Sequence, residues 1–168
     1  MKKAYLDIET TGLSFKRDKV TVVGFYDPDK ENVIQLVKDR DLKTDSLKRQ
    51  IDKIDRMITF NGKRFDVPFL EKKYGIQKDF EHVDVCMMKS KLGMKGGLKE
   101  IEKKLGIERE EELDGLKGGH APKLWEEYCE RGNRKAMKKL LNYNQADLKK
   151  LHEVHKIIKK RIDNGVDQ

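Results

Sequence analysis

The 168-residue chain carries 38 Lys and Arg against 30 Asp and Glu, a formal net charge of +8, with 40% of its residues charged. No run of about 18 apolar residues occurs, which excludes a membrane-spanning helix of ordinary length. Cys86 and Cys129 form neither a Cys-x-x-Cys pair nor a disulfide framework. The length suits one domain over residues 1–168. Met1-Lys2-Lys3 runs straight into a strand pattern rather than a signal-peptide core, so a soluble cytoplasmic protein with buried free thiols is expected. The basic balance suits a polyanionic partner, but a Lys- and Glu-rich surface also clothes heat-adapted proteins, and charge alone does not choose between them.

In chain order, Ala4–Ile8 reads as a strand, and Lys19–Tyr26 (KVTVVGFY) as a second, closed by the turn Asp27-Pro28-Asp29. Glu31–Val37 is the third, and the short connections predict an antiparallel meander. Leu42, Leu47, Ile51 and Ile54 recur at helical intervals over residues 42–54. Met57–Phe60 is a buried fourth strand ending at Asn61-Gly62. A helix over Phe65–Tyr74 follows, with Asp66 near its N-cap and Pro68 in its first turn. Glu81–Val85 is a fifth strand, then a helix to Leu92, a turn at Gly93–Gly97 and a helix over Leu98–Leu105 stopped by Gly106. Residues 106–119 read as a solvated loop. Helices are expected at about 122–131 and about 133–163, the second broken near Tyr143. Strands, then alternation, then helices make an α/β sandwich.

Three places hold carboxylates where apolar residues belong. Asp7 and Glu9 alternate with Leu6 and Ile8, so both acids share one strand face. Two like charges on a buried face are costly unless a cation lies between them. Asp27/Asp29, Asp39/Asp41 and Glu110/Glu112 repeat the spacing in polar, turn-like or helical settings, so the setting is the signal. Asp66 follows a strand end, where α/β folds place ligands, and reads either as a helix cap or as a ligand. Asp147 falls inside the arc formed by Leu140, Leu141, Leu148, Leu151, Val154, Ile158 and Ile162, with Tyr143 one turn earlier on the same side. An Asp there requires a Lys or Arg partner or a metal.

The order Asp7-x-Glu9, Asp66, Tyr143-x3-Asp147 resembles the DEDDy branch of the DEDD (DnaQ-like) exonuclease superfamily. Asp7-Ile-Glu9-Thr10-Thr11-Gly12-Leu13 resembles its first motif. Asn61-x3-Phe65-Asp66 resembles its second, which also occurs in proofreading domains of B-family DNA polymerases. Compact stand-alone YprB-like domains are the most similar in extent. In the histidine branch a His stands five residues before the last Asp; here that residue is Asn142, so Tyr143 assigns the branch.

The resemblance implies a ribonuclease-H-like fold, a five-stranded mixed sheet of order 3-2-1-4-5 flanked by helices. It implies two divalent ions, Mg²⁺ or Mn²⁺, and 3′→5′ removal of nucleotides from DNA or RNA, with single-stranded 3′ ends as partner. Asp7 would bridge the ions, Glu9 and Asp147 would hold the nucleophile-side ion, Asp66 would act through water on the other, and Tyr143 would orient the attacking water. Hard carboxylate oxygens suit such ions, and paired ions can serve both the attacking and the leaving oxygen. Thr10, Thr11, Gly12 and Leu13 would contact the terminal nucleotide. Asn61 would hydrogen-bond the strand, and Phe65 would stack on a base or simply pack in the core. Lys63 and Arg64 lie beside them, where they could meet phosphates. His152 and His155 read as surface or packing residues rather than a metal site, Asp84 as a helix cap rather than a fifth ligand, and His120 as a substrate contact. Two other readings fit the same residues: an RNase H-like or structure-specific endonuclease, and a non-catalytic nucleic-acid-binding module.

Overall fold

Alternating β-branched and aromatic residues make the first three runs an antiparallel meander of β1 (Lys3–Thr10), β2 (Val20–Asp27) and β3 (Asn32–Val37). The structure, a computed structural model, describes residues 2–77, 80–109 and 118–165. Helix α1 (Thr44–Ile51) carries the chain back so that β4 (Arg56–Thr59) pairs parallel to β1. Helix α2 (Asp66–Tyr74) does the same for β5 (Glu81–Asp84), parallel to β4. The sheet order is β3-β2-β1-β4-β5, as expected. Helices α3 (Val85–Lys91), α4 (Leu98–Leu105), α5 (Ala121–Arg131) and α6 (Arg134–Asp163) follow.

The sheet separates two principal cores. Leu6 and Ile8 pack with Leu47, Ile51, Phe69 and Leu70 of α1 and α2. Tyr5, on the opposite face, packs with Leu148, Leu151, Val154 and Ile158 of α6. A smaller cluster seats Trp125 of α5 and Leu140 of α6 over Val22 and Val37. The period-two pattern of β1 therefore sends its acids toward α6.

Several expectations change. Helix α6 does not break near Tyr143; it runs unbroken for 30 residues, with Asn133 capping its first N–H groups. It contains neither Pro nor Gly, and Tyr143 and Asn144 at its middle are buried rather than competing for its backbone. Helix α1 is shorter than residues 42–54, and other boundaries move by a residue or two. Cys86 is half-buried and Cys129 exposed, the latter one turn past Trp125 near the C-terminal end of α5. Gly106 ends α4 in a left-handed conformation, and a 3₁₀ turn spans Gly118–His120. Residues 110–117 of the expected loop, with Glu110 and Glu112, lie outside the described residues. Among the described residues no helix is long and apolar enough to cross a membrane.

Candidate metal centre

β1 and β4 pair only as far as Tyr5 and Ile58, so a crevice opens between the carboxyl ends of the two strands. Asp66 reaches into it: its Oδ1 accepts the Ile8 N–H at 3.2 Å. The carboxylate also accepts its own backbone N–H at the start of α2, so it serves the helix terminus while facing the crevice. Phe65 occupies the cap position without a side-chain bond, and Asp66 is the first residue of α2. On the other edge of β1 the register against β2 slips after Glu9, a bulge of the kind that re-aims side chains next to functional sites.

Helix α6 crosses the α6-facing side of β1 and adds Asp147. One carboxylate oxygen from each of Asp7, Glu9 and Asp147 lies within 4.8 Å of the others. Asp66 stands outside this trio, on the Ile8 side of the strand. Glu9 is buried, and its Oε1 accepts no hydrogen bond among the described residues. An ionised oxygen so placed is costly, and a cation is the partner its neighbours are arranged to share.

Four flanking residues were not singled out by the sequence argument. Asn144 is fully buried and donates Nδ2 to Asp7 Oδ2 at 2.8 Å and to the Asp7 carbonyl at 3.2 Å. Its Oδ1 accepts from Gln35 Nε2 at 2.9 Å, which fixes the amide's orientation. Arg109 is buried and forks onto Glu102 of α4, Nε to Oε2 and Nη2 to Oε1, both at 2.6 Å. The same Nη2 forms an ion pair with Asp147 Oδ1 at 2.5 Å, although that oxygen accepts no well-aligned hydrogen bond among the described residues. Lys99 Nζ sits 4.6 Å above the Tyr143 ring. The charged partner required for Asp147 is therefore present, and Asp147 also joins the carboxylate trio.

Burial raises the Asp7 carboxyl well above its ordinary range, and Glu9, Asp147 and Asp66 add to the rise. Glu9 is raised in the same way, by burial and then by Asp147 and Asp66, with Lys99 opposing. Asp66 is pushed up to about 7, chiefly by burial, with the Ile8 N–H pulling the other way. Asp147 rises through burial, held back by Arg109. Burial and the adjacent carboxylates push the Tyr143 hydroxyl upward as well, so it keeps its proton at neutral pH.

The first-motif turn is tied down. Thr10 donates its hydroxyl to the Gly12 carbonyl at 2.6 Å, and Thr11 donates to Asp18 Oδ1 while accepting the Lys19 N–H. A Cβ on Gly12 would meet the Asp18 carboxylate at 2.6–2.8 Å. Leu13, 81% exposed, projects from this turn. Asn61 adopts a left-handed conformation, and its N–H and that of Lys63 are accepted by Asp84. Asp84 also accepts the Cys86 N–H, the expected cap. Phe65 packs against Phe69, with ring centres 5.0 Å apart, but stays partly exposed. His120 is exposed in its 3₁₀ turn.

The paired histidines pack, as expected. His155 Nδ1 shares a hydrogen bond with the Tyr5 hydroxyl at 2.8 Å, and His152 lies edge-on to Tyr5 at 5.0 Å. Burial, then His152 and nearby cations, push His155 down to about 4. The unfolded chain, titrating near 6.5, binds the extra proton first, so stability falls as pH drops from about 6.5 toward 4. Denaturation curves at pH 7, 5.5 and 4.5 should show His155→Gln losing less stability over that window than the wild type.

The family model described as the RNase_H superfamily matches residues 4–159. The chain belongs to the RNase_H superfamily. Within that superfamily's fold, Asp7 and Glu9 lie toward the carboxyl end of β1, where it diverges from β4, with Asp66 at the start of α2 and Asp147 on α6 beside them. The chain is 28% identical over 173 residues to uncharacterized protein MJ0365 of Methanocaldococcus jannaschii, covering 94% of this chain and 96% of that protein. Among solved structures, the apo form of a nuclease superposes with a TM-score of 0.70 at 19% identity, over 99% of this chain and 75% of that one. Brucella melitensis NrnC with bound Mg²⁺ gives 0.68 at 19%, over 100% and 77%. The family B DNA polymerase of Pyrobaculum calidifontis gives 0.66 at 16%; 91% of this chain spans about a quarter (24%) of the polymerase.

Proposed function

We propose that this chain is a 3′→5′ exonuclease of the DEDDy type, similar to YprB-like domains, removing nucleotides from the 3′ ends of DNA or RNA. The observation that carries this reading is the buried Glu9 Oε1, which has no hydrogen-bond partner among the described residues, beside Asp7 and Asp147. The all-oxygen donor set fits hard divalent ions, Mg²⁺ or Mn²⁺, and the Mg²⁺ in NrnC, a protein of the same fold, supports the choice. Asp7, Glu9 and Asp147 would hold such ions directly, with Asp66 serving a second ion from across the crevice. Bound there, two divalent ions would activate water and relieve charge on the scissile phosphate.

The chain's own groups supply the rest. Asn144 fixes the Asp7 carboxylate. Tyr143, holding its proton, is a hydrogen-bond donor that orients the attacking water and not a base. Thr10, Thr11 and Gly12 form a rigid rim, and Leu13 offers an apolar face to the terminal base. Asn61 and Phe65 line the side next to Asp66, where Phe65's exposed edge can stack on a base. A single-stranded 3′ end suits a crevice opening at strand termini, and the +8 charge favours a polyanion.

Oligonucleotides labelled at the 3′ or the 5′ end, incubated with Mg²⁺ or Mn²⁺ and with EDTA, test the reaction. A one-nucleotide ladder shrinking from the 3′ end, abolished by EDTA, is expected. Internal cuts would instead identify an endonuclease, and retention without cleavage a binding module. Asn144→Ala should weaken Mn²⁺ binding about 10–100-fold, read by isothermal titration, since groups that orient ligands commonly contribute that much.

A further inference from the structure

Asp147 reaches the carboxylate trio from a long helix, and among the described residues no group on α6 bonds its carboxylate. The group that meets it is Arg109, whose side chain is 4% exposed. A buried guanidinium needs its own restraint, and Glu102, 2% exposed on the inner face of α4, supplies it through two parallel 2.6 Å bonds. The fork leaves one guanidinium edge committed to Glu102, while Nη2 also turns to Asp147. Arg109 Nη1 makes no hydrogen bond among the described residues, so the guanidinium is not simply satisfied by its surroundings. Burying this arrangement is expensive against an apolar alternative, and Ile101 and Leu105 show that α4 can present apolar residues on that face.

We infer that the Glu102–Arg109 pair is a positioning device for the metal centre, holding the Asp147 carboxylate in the orientation in which it can take a divalent ion together with Asp7 and Glu9. The inference rests on the proposed metal centre and deepens it. Asp147 has two oxygens, and Arg109 restrains the carboxylate from the side of α4 while Asp7 and Glu9 meet it from β1. The guanidinium is a suitable restraint because its charge is permanent and its planar fork is already fixed by Glu102.

The test is the double variant Glu102→Leu/Arg109→Met. It removes one negative and one positive charge, so the local net charge is unchanged and a loss of affinity reports orientation. Apolar replacement of a buried ion pair commonly leaves a fold intact. Mn²⁺ binding is measured by the electron paramagnetic resonance of free Mn²⁺, beside thermal unfolding without metal. The expected result is Mn²⁺ binding about 10–100-fold weaker than wild type, with metal-free unfolding little changed. Wild-type Mn²⁺ affinity in the double variant would overturn the inference and leave Arg109 a structural residue. If the double variant does not fold, Arg109→Lys decides: it keeps the cation and loses the fork, so weaker Mn²⁺ binding supports the inference and unchanged binding overturns it. Failure of the wild type itself to bind Mn²⁺, or equal binding by Asp7→Asn, would defeat the metal-centre reading rather than this one.

Discussion

Asp7→Ala is expected to remove nucleotide release altogether, a loss of at least about 1,000-fold, or roughly 4 kcal/mol of barrier. The same variant should fold as well as the wild type. In the metal-free protein Asp7 is one of three acids crowded within 4.8 Å, and removing it relieves repulsion. Asn144 is not orphaned, because its Nδ2 still has the Asp7 carbonyl and its Oδ1 still has Gln35. Cleavage of a labelled oligonucleotide and a thermal melt on one preparation check both halves. Undiminished activity would remove Asp7 from the site; an unfolded variant would make it a structural residue.

Gly24→Ala should be nearly as damaging, by a different route. Gly24 lies opposite Asp7 in the β1–β2 ladder, directly beneath α6. A Cβ there would run into Asn144 Oδ1 and come 2.7 Å from Leu148 Cδ1. Neither atom can retreat, since Asn144 is bonded on both ends of its amide and Leu148 is fully buried. One methyl group therefore lifts α6 from the sheet. Overpacking of this kind costs about 1–3 kcal/mol, a fall of about 2–12 °C in Tm for a domain of this size. Because α6 carries Asn144 and Asp147, activity should fall further than stability accounts for, measured at a temperature where the variant remains folded.

The sheet was legible because its strands are β-branched and aromatic or apolar runs bounded by turn residues, and α6 because its apolar arc, from Leu140 to Ile162, persists for about six turns. The break expected near Tyr143 does not occur, because Tyr143 and Asn144 are buried against the rest of the protein and leave the helix backbone intact. Asp147 is marked in the sequence as an acid on an apolar helix face. The same signal marks Glu102: Leu98, Ile101, Glu102 and Leu105 fall at i, i+3, i+4 and i+7, the buried stripe of α4. Gly24 carried its own signal, since an isolated Gly inside a strand marks a close approach. Asn144 was visible as the residue three before Asp147 on one helix face. Arg109 could not be found in this way. It lies past the end of α4, and only the packing of α4 against α6 brings its side chain to Asp147. Asp66 was ambiguous between cap and ligand for a related reason, because its bond to Ile8 depends on where β1 and β4 part.

The most direct measurement is an anomalous difference map, collected near the manganese absorption edge, from crystals equilibrated with Mn²⁺. Two peaks are expected, one among Asp7, Glu9 and Asp147 and one on the Asp66 side of Asp7. Their absence from a fully ordered site, or peaks confined to other carboxylates on the surface, would contradict the metal-centre reading.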